Sequence, residues 1–142
     1  MPEPDLALLE AAAEEAGSFA LARLGAPGKV REKPDGNGPV SETDLAIDAM
    51  LRERLTAARP DYGWLSEESE DGPARLAAER VFIVDPIDGT RGFLAGQPAW
   101  AHSLAVAERG RVVAGVVYLP MLGQLYAAAR RRCSRANGRC GR

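Results

Sequence analysis

Two aspartates lie three residues apart in the stretch VDPIDGT, residues 84–90. An apolar run, VFIV, leads into this stretch, so Asp85 and Asp88 come at the carboxyl end of a predicted strand, where sheets with parallel strands usually present ligand sites. Pro86 bends the chain, so the Ile87 carbonyl can face the same point as both carboxylates. Three converging oxygens suit Mg²⁺, which commonly joins protein acids to a substrate phosphate.

The two residues after these aspartates suggest where such a phosphate could bind. Thr90 follows Gly89 at a predicted helix start, where free backbone N–H groups and the helix dipole favour an anion. The structural alternative is an Asx turn with Thr90 as a helix cap.

A second acidic cluster lies in SEES, residues 66–69. An adjacent glutamate pair such as Glu67 and Glu68 is ordinarily solvated. Combined with the first cluster, however, Glu67, Asp85 and Asp88 carry enough negative charge for two divalent ions. Two-metal sites activate a water and stabilise its attack on phosphorus.

Other chemistries fit the sequence less well. Phosphatases with an aspartyl nucleophile carry D-x-D-x-T, with acids two apart, so the spacing of three disfavours a covalent aspartyl-phosphate. The lone His102 is better interpreted as a packing or surface residue than as a base. Trp64 and Trp100 are interpreted as core or rim aromatics rather than a stacking platform.

Two helices are predicted in the first half of the chain. Alanine and leucine recur at helical spacing from Asp5 to about Leu24, before the stop GAPG. A polar, glycine-rich loop follows, and then SETDLAIDAMLRERLTAA predicts a helix with Ser41 as its N-cap and Pro60 as its stop.

Strands dominate the second half. After a short helical turn near residues 74–79, VFIV predicts a strand that is buried on both faces. Residues 102–108, 111–119 and 124–129 predict an antiparallel meander. The fold class is therefore α+β, with two N-terminal helices, a buried strand carrying DPIDGT and a strand meander.

Composition narrows the class of protein. The chain has 142 residues and 46% hydrophobic residues, which favours one globular domain. No apolar run approaches the roughly 18 residues of a membrane span, and the N-terminus is acidic rather than signal-like. We expect a cytoplasmic protein without membrane partners.

The basic residues are unevenly distributed. Residues 130–142 contain six of the 18 basic residues, both cysteines and no acid, so the body is acidic. A run of this kind is usually a solvated end, and nothing else in the chain supports binding of nucleic acid.

The combination of SEES and VDPIDGT resembles the inositol monophosphatase family of Mg²⁺-dependent, lithium-sensitive phosphatases, which are related to fructose-1,6-bisphosphatase. The segment KPDGNGPVSETDLAID, residues 33–48, is similar to the family's loop and helix start, and residues 103–130 are similar to its hairpin strands. The resemblance covers nearly all of residues 5–129 and implies a layered α/β sugar-phosphatase-type fold.

The resemblance also implies a metal site. Glu67 would bind a metal and help to orient the attacking water, with Glu68 as its supporting neighbour. Asp85, the Ile87 carbonyl and Asp88 would hold the Mg²⁺ ions, and Asp88 would be required for catalysis.

The remaining matched residues would surround the substrate phosphate and the water. Thr90 would share activation of the water with Glu67, and the backbone N–H groups of Gly89 and Thr90 would bind phosphate. Lys33 and Asp44 would line the phosphate and metal-water sides of the site.

The resemblance is partial, because family members continue into a second α/β portion. A W-D-x-A-type segment there supplies another metal-binding aspartate and most substrate contacts. Residues 1–129 are therefore predicted to be the N-terminal part of a truncated family domain. Residues 130–142 replace a glycine-rich family segment and are predicted to be disordered or frame-disturbed.

The function implied is Mg²⁺-dependent hydrolysis of a small-molecule phosphate monoester, such as an inositol phosphate, by direct attack of water. Arg91 and Gly92 replace residues common in inositol-specific members, so 3′(2′),5′-bisphosphate nucleotidase and histidinol-phosphatase activities stay open. A further alternative is a non-catalytic truncated fragment. Because the family is commonly dimeric, a homodimer is also possible.

Overall fold

The computed structural model describes residues 4–69 and 71–130, in which helices pack against a five-stranded sheet. The helices are α1 Asp5–Leu21, α2 Glu42–Ala58, α3 Ala74–Ala77 and α4 Thr90–Leu94. The strands are β1 Val30–Glu32, β2 Pro39–Ser41, β3 Gly63–Ser66, β4 Arg80–Asp88, β5 Ala101–Glu108, β6 Arg111–Leu119 and β7 Gln124–Ala129.

Helix α1 buries the apolar face that its sequence predicts. Leu9 is fully buried, and the small residues on the same face let the helix pack against α2, β5 and β6. The helix ends at Leu21 rather than near Leu24, because a turn begins at Ala22 and reaches Gly25 with φ of 78°. A left-handed residue of this kind is a common helix terminator.

Helix α2 begins with the predicted Ser41 cap. The Ser41 hydroxyl accepts a hydrogen bond from the Asp44 backbone N–H at 3.2 Å, and the Asp44 carboxylate accepts one from the Ser41 backbone N–H at 2.9 Å. This capping box satisfies two backbone donors at the helix start. It also fixes the Asp44 side chain, which is buried.

The large sheet has the order β3-β4-β5-β6-β7. Strands β3 and β4 are parallel, and every later pair is antiparallel. The predicted meander is confirmed almost residue for residue, and so is the α+β class. Short, regular connections explain this accuracy, because Gly110 and Gly123 both adopt the positive φ that their turns require.

Three short strands were not predicted from the sequence. Strands β1 and β2 form a hairpin within the segment that was predicted as a loop, closed by a hydrogen bond from Lys33 N to Gly38 O at 2.9 Å. Strand β3 was also missed. Elements of three or four residues carry too little periodicity to be recognised, and pairing with a neighbour decides them.

The expectation that VFIV is buried on both faces was wrong. Phe82 and Val84 are buried, whereas Ile83 between them is 37% exposed. Successive side chains of a strand point to opposite faces, and the helices cover only the face that Phe82 shares. Val117 and Tyr126 are exposed elsewhere on the sheet.

No helix among the described residues is long and apolar enough to cross a membrane. The predicted basic tail, apart from Arg130, lies outside the described residues, and so do both cysteines. The proposed division at residue 129 therefore stays a prediction.

The core predicts a matched pair of stability effects. Leu9→Ala removes a fully buried side chain, so we expect the free energy of unfolding to fall by about 2–5 kcal/mol. Leu76→Ala is the control, because Leu76 is 74% exposed, and it should leave stability almost unchanged. Urea unfolding measures both variants, and equal midpoints would contradict this core assignment.

Candidate active site

One cavity of about 300 Å³ collects every predicted site residue except Asp44. It lies at the end of β4, beside the β1–β2 hairpin and the start of α4. The side chains and backbone that line it are those of Lys33, Glu67, Glu68, Asp85, Ile87, Asp88, Gly89 and Thr90, together with Asn37, Pro39 and Arg91. The acids thus come from two segments that are far apart in sequence.

The two aspartates are separated by a break in the β4–β5 ladder. Asp85 pairs with Ser103 and Asp88 pairs with Ala101, so β4 contains one more residue than β5 between these pairs. Such a bulge bends the strand and re-aims its side chains. The strand therefore continues through DPID instead of ending before it, and it still brings both acids to the cavity.

Parallel pairing brings the second acidic segment to the same place. Ser66 at the end of β3 pairs with Val84, and the Glu67 backbone N–H donates to the Val84 carbonyl at 3.2 Å. Glu67 directly follows Ser66, and Asp85 directly follows Val84, the pairing partner of Ser66, so the two acids occupy neighbouring positions on adjacent strands. Adjacent parallel strands end at the same edge of a sheet, which explains the shared cavity.

Charge crowding changes the acidity of the half-buried Asp85. Burial, followed by the neighbouring charges of Asp88, Glu67 and Glu68, raises the pKa of its carboxyl to about 7. Negative charges close to a carboxyl disfavour its ionisation, because the ionised form is repelled by them. A divalent cation in the cavity would relieve this repulsion.

Lys33 and Glu68 form an ion pair on the hairpin side of the cavity. The Lys33 Nζ lies 2.6 Å from Glu68 Oε1, and the Glu68 side chain is only 8% exposed. Burial opposes the charged form of Lys33, but the hydrogen bond and the charge of Glu68 prevail and raise its pKa. Lys33 thus stays cationic and anchors Glu68, which leaves Glu67 as the exposed glutamate of the pair.

Thr90 connects the cavity to Asp44. Its hydroxyl donates to Asp44 Oδ1 at 2.8 Å and lies 3.2 Å from the Ile87 carbonyl oxygen. Asp44 thereby contributes from behind the cavity lining rather than on it. The other Asp44 oxygen is held by Ser41 in the α2 capping box, so the orientation of the Thr90 hydroxyl is set by the start of α2.

Only glycine fits at position 89. Its φ is 89°, and a Cβ there would lie 3.0 Å from the Ala99 carbonyl oxygen. The residue precedes Thr90 at the start of α4, where the Phe93 backbone N–H donates to the Gly89 carbonyl. A side chain would be strained at this turn and would displace the backbone that borders the cavity.

Asp48, which was not predicted as a site residue, supports the acidic segment. This buried carboxylate on α2 accepts hydrogen bonds from the hydroxyls of Ser66 and Ser69, which flank the two glutamates. Trp64 Nε1 also donates to the Ser69 hydroxyl at 3.1 Å. The sequence contained a signal for this role, because Asp48 lies four residues after Asp44 and therefore shares the face of α2 that points to the site.

The cavity offers oxygen ligands but not a closed metal cage. Among residues 4–69 and 71–130, no group of three or more His, Cys, Asp and Glu side chains is arranged to hold a metal ion by itself. Mg²⁺ does not require such a cage, because it keeps several waters and binds through one or two carboxylates plus substrate phosphate. The donor set of Glu67, Asp85 and Asp88 fits that mode.

The chain matches the inositol monophosphatase family over residues 1–142. It is 37% identical over 136 residues to a histidinol-phosphatase of Chlorobaculum parvum, covering 95% of this chain and 51% of that protein. It is 44% identical over 91 residues to an inositol-1-monophosphatase of Rhizobium meliloti, covering 64% and 34% respectively. The chain thus spans 51% and 34% of the length of these two relatives.

A solved structure shows the same architecture. The extragenic suppressor protein suhB from Bartonella henselae superposes with a TM-score of 0.79 at 36% identity, over 87% of this chain and 48% of that one. The part of that structure which superposes therefore has the same fold as this chain.

The raised pKa of Asp85 predicts a pH effect in the metal-free chain. The folded state keeps a proton that the unfolded state loses between about pH 4 and about pH 7, so stability falls as the pH rises through this range. Asp85→Asn has no such proton to lose. After allowance for solvent screening, we expect it to be more stable than wild type by about 1–2 kcal/mol at pH 8.

Urea unfolding in EDTA at several pH values measures this difference. The two stability curves should converge below about pH 4, where the wild-type carboxyl is neutral in both the folded and the unfolded state. Asp61→Asn, at an exposed acid, is the matched control and should follow the wild-type curve. An Asp85→Asn curve that runs parallel to wild type would show that Asp85 ionises normally.

Proposed function

Because the chain belongs to the inositol monophosphatase family, we propose that its cavity binds a small-molecule phosphate monoester and hydrolyses it with Mg²⁺ as the cofactor. The observation that carries this proposal is the convergence of Glu67, Asp85 and Asp88 beside the Thr90–Asp44 hydrogen bond. This arrangement combines oxygen ligands for a hard cation with an oriented hydroxyl.

Glu67, Asp85, the Ile87 carbonyl and Asp88 would hold Mg²⁺. When bound, the metal supplies charge stabilisation at phosphorus and lowers the pKa of a coordinated water. The crowded carboxylates support this assignment, because burial and then the negative charges of Asp88, Glu67 and Glu68 raise the pKa of Asp85, and a bound cation would offset that charge. Glu68 is already paired with Lys33 and is therefore assigned a supporting role.

Thr90 orients the attacking water in this proposal. Its hydroxyl hydrogen is committed to Asp44, so its oxygen is available to accept a hydrogen bond from a water in the cavity. Glu67 is the exposed carboxylate of its segment and would accept a proton from the same water. Both groups act on water, so no covalent intermediate with the protein is needed.

The phosphate would lie against Gly89 and Thr90. Both residues line the cavity, and the absence of a side chain at Gly89 permits close approach to the backbone. Lys33 and Arg91 add positive charge to the same lining. These cations offset the repulsion that a phosphate dianion would meet from the acids.

The substrate proposal is an inositol phosphate or a related small phosphate monoester. Histidinol phosphate and a 3′(2′),5′-bisphosphate nucleotide are the alternatives. The similarity to both a histidinol-phosphatase and an inositol-1-monophosphatase supports this range. Release of phosphate from a panel of the three compounds distinguishes these substrates.

A second candidate is a chain that binds metal without turnover. The observation that favours it is that this chain spans only 51% and 34% of the two relatives matched above. Catalytic sites lose metal affinity or activity when residues that support the metal ligands are missing. Mg²⁺ binding without release of phosphate from any compound of the panel would support this candidate over the first.

Removal of acidic ligands tests the metal assignment. We expect the purified chain to release phosphate from its substrate when Mg²⁺ is present. Chelation of the metal by EDTA should abolish this release. Glu67→Gln and Asp88→Asn should each lower the rate by about 100-fold or more, because each removes a charged ligand without changing size. Glu53→Gln, on the exposed surface of α2, is the matched control and should retain wild-type activity. Undiminished activity of Asp88→Asn would rule out this site.

Substitutions that remove or keep the hydroxyl group test the role of Thr90. Thr90→Val keeps the shape but loses the hydrogen bond to Asp44, so we expect a fall in kcat of about 100-fold or more. Thr90→Ser keeps the hydroxyl and should retain most of the activity. Equal activities of the valine and serine variants would show that the hydroxyl does not orient the water.

A further inference from the structure

His102 faces the bulge that separates the two metal-site aspartates. Its neighbours on β5, Ala101 and Ser103, pair with Asp88 and Asp85, so His102 lies opposite the two intervening residues of β4. A bulge leaves its extra residue outside the regular ladder of hydrogen bonds. Something other than the ladder must therefore hold this part of β4 in place.

The imidazole supplies that contact. His102 Nδ1 hydrogen-bonds to the carbonyl oxygen of Pro86, the first residue of the bulge. Pro86 has no N–H and is buried, so its carbonyl is the single backbone group through which this residue can be tied to β5. The bond spans the gap between the strands where regular pairing is interrupted.

The imidazole is itself held on several sides. His102 is 0% exposed, and the Trp100 ring packs edge-on at a centroid distance of 5.7 Å. Trp100 in turn packs edge-on against Phe93 of α4 at 5.0 Å, and the Tyr118 ring of β6 lies 6.4 Å from the His102 ring. The ring therefore joins the bulge to β5, β6 and α4.

The contacts also define which nitrogen carries the proton. Burial lowers the pKa of His102, so the ring is neutral, although its bond to Pro86 and the charge of Asp44 oppose this shift. A carbonyl oxygen only accepts hydrogen bonds, so the hydrogen is on Nδ1. His102 Nε2 is then a buried acceptor without a hydrogen-bond partner among the described residues. Among the described residues the imidazole makes one hydrogen bond, and that bond is with the bulge.

We infer that His102 is a positioning residue for the metal site, and that its Nδ1–H bond to Pro86 fixes the bulge so that Asp85 and Asp88 reach the same cavity. The inference rests on the proposed function, because it assigns a role toward the metal that the acids would bind. The full burial of His102 confirms the interpretation as a packing residue and excludes a surface position, and the inference adds a role toward the bulge. Partners that orient metal ligands without touching the metal typically change affinity by about 10- to 100-fold when they are removed.

Binding of Mn²⁺ to the untagged chain tests the inference without any assay of activity. Mn²⁺ takes the same oxygen ligands as Mg²⁺, and the loss of its free-ion electron paramagnetic resonance signal measures binding directly. We expect His102→Val to weaken Mn²⁺ binding by about 10- to 100-fold. His102→Asn, whose amide nitrogen can occupy the position of Nδ1 and donate to the Pro86 carbonyl, should restore most of the affinity.

A packing control separates positioning from general stability. Val106→Ala removes a fully buried side chain from the same strand without touching the bulge, so it should lower the urea midpoint and leave Mn²⁺ affinity unchanged. A valine variant that is folded and binds Mn²⁺ as tightly as wild type would overturn the inference. So would equal losses of affinity in His102→Val and Val106→Ala. A wild-type chain that binds no Mn²⁺ would contradict the proposed function itself, and the inference with it.

Nuclear magnetic resonance of the wild-type ring gives a second test that needs no variant. The chain contains one histidine, so its two ring nitrogens are assigned without ambiguity in long-range ¹H–¹⁵N spectra. We expect the neutral tautomer with the proton on Nδ1 at pH 7. A ring with its proton on Nε2 cannot donate to Pro86 and would overturn the inference even if the valine variant fails to fold.

Discussion

Repulsion among acids that share one cavity is the constraint on which this structure depends. Glu67, Asp85 and Asp88 lie together, and the pKa of Asp85 rises to about 7 in consequence of burial and of its charged neighbours. An arrangement of like charges does not persist unless the surrounding structure imposes it. The helices, the parallel strand pair and the bulge can all be understood as the parts that hold these acids in place.

Helix α2 helps to position the site through two buried carboxylates, neither of which lines the cavity. Asp44 fixes the Thr90 hydroxyl, and Asp48 binds the hydroxyls of Ser66 and Ser69 on either side of the glutamates. Burial of a carboxylate is costly unless its oxygens are hydrogen-bonded, and here each oxygen has a partner. The helix therefore links stability of the core to the geometry of the site, because its apolar side packs on β4 while its acidic residues orient the loops.

Most elements and most site residues followed from local sequence signals. The α2 cap, the meander and the acids of SEES and DPIDGT were identified because caps, alternating strands and charged clusters are written in neighbouring residues. The short strands β1, β2 and β3 were not, because each is stabilised by a pairing partner rather than by its own periodicity. One-sided burial of β4 was also missed, since an apolar run does not reveal whether one or both faces are covered.

The sequence by itself therefore determined the residue types that could bind a hard cation and a phosphate, and the family to which the chain belongs. Only the tertiary structure decided how they are held. The parallel pairing of β3 with β4 places Glu67 beside Asp85, and the burial of His102 against Pro86 gives an apparently ordinary strand residue a contact at the bulge. The physical reason is that hydrogen bonds between distant segments depend on which strands and helices become neighbours, and a local pattern of residues does not contain that information.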